Sequence, residues 1–379
     1  TPRSLPTAER SFFLGIFFRF SPVLRPGCWG TVVVKKLQRN IRLVYGLAFF
    51  QCFLIIVPVI VPFFESKGLG LAEIFYLQTV YAATIVLLEA PSGYFADLFG
   101  RRIALLAGSV MHGISYLLLN FADGFYSLMV FEITVGIAGS LMSGADLALL
   151  YDSQKALDKE DDSPHSVGIA QLGFVKSCAE GLGALLGGVL ALWSFKIMVL
   201  GQSIAAWMCL LLALFVVEPP FQRESTTGRQ LRIAAILHHM WYSDPVLRNV
   251  FIAIPVYGLA TIHAAWLVQP YWESHGISLA LFGALWCMQS LAVSLASKWG
   301  FTIERRHGAV AALCLIGALP VLGYFGMAWL NGWGGIAVCL LLFFGRGLTQ
   351  VILVNALNRR VPSYFRATAN SLTSFVFRL

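Results

Sequence analysis

Charged residues are scarce in this chain. Asp, Glu, Lys and Arg make up 12% of its 379 residues, where a soluble domain carries about 25%. That shortage excludes an ordinary water-covered surface. Nucleotide and hydrolase signatures are also missing. There is no GxxxxGK[ST] loop to cradle phosphates, no HExxH and no GxSxG, so ATP-driven chemistry and the common hydrolases are not expected. The run Gly181-Leu-Gly183-Ala-Leu-Leu-Gly187 has the wrong spacing for a dinucleotide loop and lies inside an apolar stretch. The seven cysteines form no CxxC pair, and six lie in apolar stretches. They read as small buried hydrophobes. No metal, cofactor or enzymatic activity is expected. Met111 is the first methionine, and no small-residue cleavage site follows the short apolar run Phe12 to Phe18. Residues 1–35 are therefore read as an N-terminal tail of open status.

What the chain has in abundance is apolar sequence. Hydrophobic residues make up 58% of it, with 35 glycines and 15 prolines. A bilayer demands this, because each helical span needs about 20 apolar residues and neighbouring spans tolerate Gly and Pro. Long apolar stretches run at roughly 41–64, 72–96, 103–121, 126–150, 167–193 and 197–218. A polar stretch, Glu218 to Asp244, follows. Four more stretches lie at roughly 250–272, 278–301, 308–330 and 333–358, and another begins near 363. The reading is an all-α, polytopic membrane protein with ten spans and part of an eleventh.

The net charge of +8 is a topology signal. With the N-terminus placed in the cytoplasm, 22 of the 27 Lys and Arg fall on the cytoplasmic side, as the positive-inside rule requires. Lys67 and Lys196 fall outside, and Lys176, Arg346 and Arg378 fall within spans. A nucleic-acid partner is not expected. A multi-pass monomer in the plasma membrane is.

The sequence repeats itself. Pro62-Phe-Phe-Glu65-Ser66-Lys67-Gly68-Leu-Gly-Leu71-Ala72 matches Pro270-Tyr-Trp-Glu273-Ser274-His275-Gly276-Ile-Ser-Leu279-Ala280 at six of eleven positions, offset by 208. Arg39-Asn40-Ile41 matches Arg248-Asn249-Val250 at 209, and Gly93 and Asp97 have a weaker echo in Gly300 and Glu304. An even number of spans separates the copies, so the halves are parallel repeats. The domains are read as 36–217, a first six-helix bundle; 218–246, a cytoplasmic linker; and 247–379, a second bundle of about four helices plus a fragment. The offset puts the end of a complete second half near residue 425, about 46 residues further on, so a twelve-span parent truncated in or before its eleventh helix is expected.

One loop points to a family. Gly93-Tyr-Phe-Ala-Asp97-Leu-Phe-Gly100-Arg101-Arg102 follows the second stretch and resembles the GxxxDxxGRR loop of the major facilitator superfamily at every fixed position. Glu89-Ala-Pro91-Ser-Gly93 and Gly144-Ala-Asp146-Leu-Ala-Leu-Leu-Tyr151-Asp152-Ser153 resemble a drug-efflux-like branch. The resemblance implies a twelve-helix fold whose first, fourth, seventh and tenth spans line a central cavity. It also implies that Gly93, Asp97, Gly100, Arg101, Arg102 and Asp146 form a cytoplasmic latch between the halves, with Asp146 or Asp152 as the arginines' partners. The alternative is that the arginines only enforce topology.

A charge at the bilayer centre costs about 2.5–3.5 kcal/mol on insertion scales, so each intramembrane ionisable residue invites a role. Glu132, Gly136, Gly139, Ser143 and Asp146 are spaced to share one helical face, read as a cavity wall or a close-packed seam. Arg346, Thr349 and Gln350 share a face of the tenth span, with Arg346 placed to bind an anion or pair with an acid. His263, Trp266, Pro270 and Glu273 line a face of the seventh span beside Gln269, suited to a flat or amphipathic solute. Glu180 sits mid-span in the fifth helix. Gly183-Ala184-Leu-Leu-Gly187-Gly188 there resembles the superfamily's GPxxGG antiporter signature, with Ala184 in place of its proline. Glu180, Glu132 and Glu89 are the candidate proton carriers, and Glu89 has Arg378 as a candidate partner. The expected function is secondary transport by alternating access, as proton-coupled efflux of a small amphipathic compound. Import or facilitated diffusion of a sugar or organic anion is the alternative, and a non-transporting sensor or scaffold a distant third.

Overall fold

The computed structural model describes residues 31–143, 145–157, 165–219, 238, 241–242 and 245–361. Within them the secondary structure is helical. Nine helical segments are long and apolar enough to cross a membrane. One of these, Leu279–Trp329, has 51 residues, about 77 Å of helix against a hydrocarbon core of about 30 Å. Gly308 kinks it (φ 84°, ψ 163°), so it is two spans and the total is ten. The stretch beginning near 363 lies outside the described residues, as does most of the polar stretch 218–244.

Two spans depart from the continuous helices that the hydropathy predicts. The first is broken. Thr31–Cys52 is followed by non-helical residues 53–56, a 3₁₀ turn at Val57–Val59 and a short helix, Ile60–Ser66. Pro58 and Pro62 stand four apart and remove donors from successive turns, while Pro58's ring crowds the carbonyl four residues back. In the second half Trp266 stands where the offset puts Pro58, and the seventh span, Pro245–Ser274, stays helical despite Pro255 and Pro270. The fourth span ends at Met142, because Ser143 is extended (ψ 126°). A separate helix, Ala145–Leu157, continues the chain. The remaining spans are Leu71–Phe99, Arg101–Leu119, His165–Trp193, Phe195–Leu214 and Trp333–Arg360.

The parallel repeat is written in the turns. The described residues with positive φ are six glycines: Gly68 and Gly276, Gly100 and Gly308, Gly124 and Gly332. Each pair is separated by 208. The Gly93/Gly300 echo is one residue out of this register. Gly68, Gly124, Gly276 and Gly332 mark one end of the bundle, and Gly100 and Gly308 the other.

The core is shared at one end only. A single apolar cluster at the Gly68 end joins both halves, including Phe64, Leu77 and Leu128 of the first and Trp272, Phe282 and Phe343 of the second. At the Gly100 end the clusters are separate. One belongs to the first half, around Leu47, Leu105 and Leu149, and two to the second, around Leu247 and Leu353 and around Ile316 and Leu348. The outward surface is apolar, with residues such as Leu87 (73% exposed) and Val310 (76%), as lipid-facing helices require.

Candidate functional site

The break in the first span organises the middle of the molecule. Non-helical backbone at membrane depth leaves N–H and C=O groups that must be satisfied by protein. Two fully buried glutamines supply this. Gln202 of the sixth span accepts from the N–H of Ile55 at 2.5 Å and of Ile56 at 3.4 Å. Gln269 of the seventh accepts from Val61 N–H at 3.0 Å and donates to the Val57 carbonyl at 2.9 Å. The glycine run of the fifth span fits against the same break. A Cβ on Gly183 would stand 2.9 Å from Leu54 N, and one on Gly187 would strike the Ile55 carbonyl. Gly188 meets Gly283 of the eighth span, where a Cβ would come within 2.9 Å of backbone. The small residues that resemble an antiporter signature thus have a packing reason of their own.

Charged groups gather beside this seam. Lys176 Nζ lies 3.0 Å from Asp146 Oδ2. Glu180 is one turn along the fifth span on the same face, and its Oε1 accepts from Trp286 Nε1 at 3.4 Å. Arg346, from the tenth span, lies within electrostatic reach of Glu180. Among the described residues Arg346 makes no ion pair within 4.0 Å. Cys52, at the lip of the break, is within electrostatic reach of Lys176, Glu180 and Asp146. The set is formally neutral, two acids and two bases, and its members come from both halves.

At the Gly100 end, Arg101 forms an ion pair with Asp152 and donates to the Ala148 carbonyl at 2.6 Å. Glu218 accepts from the backbone N–H of Arg101 at 2.8 Å and of Arg102 at 2.7 Å. It caps the third span, where a carboxylate meets the helix's positive end. Burial pushes the Glu218 carboxyl above its ordinary range, opposed by those two N–H groups and by the arginine charges. Gly100 (φ 99°) has Glu218 3.1 Å from its would-be Cβ. Asn40 holds the segment in place, accepting from Val217 N–H at 3.0 Å and donating to its carbonyl at 2.6 Å.

These positions revise several expectations. The amide of Gln269 is taken up by backbone of the first span. Glu132 is buried (3% exposed) and accepts from Gln78 Nε2 at 2.9 Å, walled in between the second and fourth spans. The shared face of Glu132, Gly136 and Gly139 stops there, since the break at Ser143 puts Asp146 on another helix, where it takes Lys176. His263 stacks on Phe75 of the second span, centroids 6.4 Å apart. Trp266 is half-buried against the shared core. Arg346 and Glu180 are brought together, and Gln350 is exposed one turn from Arg346. Gly93 and Glu89 lie in the second span. The Asp97 side chain and Arg378 lie outside the described residues. Sequence reasoning missed Lys176, Gln202 and Glu218. The four-residue spacing from Lys176 to Glu180 was the available signal for the first, while the partners of the other two are more than a hundred residues away.

Comparison with known proteins adds the following. The profile of the Major Facilitator Superfamily matches residues 42–379. The multidrug resistance protein MdtG of Proteus mirabilis (strain HI4320) is 26% identical over 187 residues, 46% of this chain and 45% of that protein. The chain thus aligns with less than half the length of this curated relative. A mutant of the nucleoside transporter NupG superposes with a TM-score of 0.71 at 11% identity, covering 90% of this chain and 87% of that one. A D-xylose-proton symporter gives 0.68 at 13% identity, covering 92% and 88%. A POT family transporter in complex with 5-aminolevulinic acid gives 0.62 at 15% identity, covering 90% and 88%. At these identities the likeness is one of fold.

Proposed function

Because this chain belongs to the major facilitator superfamily and is an integral, multi-pass membrane protein, we propose that it is a proton-coupled secondary transporter for a small amphipathic solute with an anionic group. The halves rock against one another around a site between them. The observation that carries the reading is Arg346. It is a cation between the halves with no ion pair among the described residues, and Glu180 faces it from the other half.

The coupling follows from charge balance. Ionised Glu180 neutralises Arg346 when no solute is bound. An anionic group arriving at Arg346 displaces that interaction, and a proton on Glu180 removes the surplus negative charge. Solute and proton then occupy the site together and cross in the same direction. Lys176 stays matched by Asp146 throughout. The plasma membrane, with the N-terminus inside, is the setting the Lys and Arg bias supports.

A second reading is efflux of an amphipathic compound against inward proton flow. The partial likeness to the multidrug resistance protein MdtG favours it. Flux by the full-length protein in liposomes, with and without a pH gradient, separates the two. Symport predicts uptake of anionic amphiphiles driven by external acid, whereas antiport predicts their export. R346A is expected to weaken binding of the anion by about 30-fold or more, since losing one partner of a buried charged contact costs about 2–5 kcal/mol. E180Q is expected to keep solute exchange but lose accumulation driven by pH. Transport of neutral and cationic solutes that R346A leaves unchanged would sink the anion assignment.

A further inference from the structure

Glu180 has a partner that the transport reading leaves aside. Trp286 Nε1, from the eighth span, donates to Glu180 Oε1 at 3.4 Å. Among the described residues this is the one hydrogen bond of that carboxylate. It crosses from one half to the other, and close packing of the two helices holds both ends. About one turn from Trp286, Gly283 stands against Gly188, and a Cβ on Gly283 would strike the Ala184 carbonyl. Beside the bond, a Cβ on Gly181 would lie 3.6 Å from Cys287 Sγ. The Trp286 ring is buried in the apolar cluster that the halves share, while Glu180 is half-buried. The indole is thus the fixed partner and the carboxylate the movable one.

The repeat gives position 286 a counterpart. The offset of 208 that relates the paired turn glycines takes Trp286 to Gln78 of the second span. Gln78 Nε2 donates to Glu132 Oε1 at 2.9 Å. The same place in each half therefore presents an N–H to an intramembrane glutamate. The acids differ in origin. Glu132 is in the same half as Gln78, on the fourth span, whereas Glu180 and Trp286 are in opposite halves. The donors differ in kind. A glutamine amide donates and accepts, so it serves a carboxyl in either protonation state. An indole only donates, and it offers nothing to the O–H of a protonated acid. Hydrogen bonds to an ionised group are also about twice as strong as those between neutral groups. Trp286 thus favours Glu180 in its charged form.

We propose that Trp286 is a positioning residue for Glu180, and that its N–H holds the carboxylate ionised and turned towards the second half until a proton arrives. It acts through the carboxylate and sets the pH at which that proton binds. The other titratable groups facing Glu180 are Arg346 from the tenth span, Cys52 from the first, and Lys176 on its own helix, which Asp146 holds at 3.0 Å. The eighth span adds Cys287, against Gly181. Among the described residues no cation lies within 4.0 Å of Glu180. The indole N–H is the polar group in direct contact.

The proposal rests on Glu180 as the coupling acid, but its test needs no solute. Dicyclohexylcarbodiimide reacts with protonated carboxyls in apolar surroundings. Mass spectrometry of the labelled full-length protein resolves adducts on Glu180 and Glu132 separately. Labelling of Glu180 should fall as rising pH ionises it. W286F keeps a ring in the shared core but has no N–H. Its midpoint is expected about one pH unit higher, a tenfold gain in proton affinity. Labelling of Glu132 should stay where it was, because Gln78 is untouched. W286Q places at 286 the residue of the equivalent position, and should return the midpoint part of the way. A packing role predicts the reverse, with W286F like wild type and W286Q disturbed, and that result overturns the proposal. An equal shift at Glu132, or no labelling of Glu180 at any pH, overturns it as well. W286F alone decides if W286Q does not fold. Liposome uptake of anilinonaphthalene sulfonate, an anionic amphiphile, tells the two readings apart. Uptake driven by pH that survives E180Q sinks the coupling reading, while a labelling profile that follows the indole N–H keeps the positioning role. Uptake that requires Glu180, with a profile indifferent to W286F, sinks the positioning role alone.

Discussion

Glu218 holds two backbone N–H groups at the start of the third span while burial keeps its carboxyl above the ordinary range. The sign of its pH effect follows from that direction. A carboxyl with a raised folded value binds its proton more tightly in the folded state, so its stabilising contribution is fully present below the unfolded value and is lost as pH rises through the folded one. Backbone amide exchange at Arg101 and Arg102 should therefore rise across that window by more than base catalysis alone gives. E218A should raise it at all pH and cost about 1–2 kcal/mol of helix stability. Sequence alone assigns Glu218 to the linker, because it is the first charge after an apolar run. Its partner, the Gly100 turn, is 118 residues earlier in the chain, and Asn40, which fixes Val217 beside it, is 177 residues from Val217. Hydropathy carries no information about such pairs.

At the scale of elements, the fifth span is a ridge of small side chains seated against the broken first span. G183A and G187A would push a methyl group into the backbone at Leu54 and Ile55, atoms that cannot swing aside as a side-chain tip can. Each is expected to destabilise the purified protein by about 1–3 kcal/mol, visible as a lowered unfolding temperature in detergent. G173A, where a Cβ meets nothing within 4 Å, should leave it unchanged. The break itself was legible in part. Pro58 and Pro62 are plain in the sequence, but a proline in a span is compatible with an unbroken helix, as Pro255 and Pro270 show in the seventh. What decides is the four-residue spacing of the two prolines together with glutamines that accept the freed groups, and those come from other helices. The break at Ser143 was not legible, because the apolar run passes through it without a change in character.

Over the whole molecule, the ten spans and the 208-residue repeat were readable because both depend on local composition and on self-similarity. Which end is closed was not, since that depends on how one half's apolar faces meet the other's. The shared cluster around Phe64 and Trp272 and the separate clusters at the other end make the Gly68 end the sealed one. Gln350 is exposed one turn beyond Arg346 towards the Gly100 end. Q350C should accordingly react with a membrane-impermeant thiol reagent applied from the Gly100 side and resist it from the Gly68 side. Equal labelling from both sides would contradict the sealed end.

The contact of Gln269 with the backbone of Val61 and Val57 makes the two halves unlike in a way their common fold conceals. The first half is a socket, a helix whose 3₁₀ turn gives the Val57 carbonyl to Ile60 N–H and leaves the Val61 N–H to an acceptor from outside. The second is a plug, a continuous helix with Trp266 in the place of Pro58 and an amide at the height of the gap. Exchanging the side chains, as in V61Q/Q269V, would not reverse the arrangement, because the seventh span stays helical where the first is broken. A chimera of two first halves would carry two sockets with nothing to fill them, and one of two second halves two plugs with nowhere to go. The parts of this duplicated chain have ceased to be interchangeable, and their order along it carries information that neither copy holds alone.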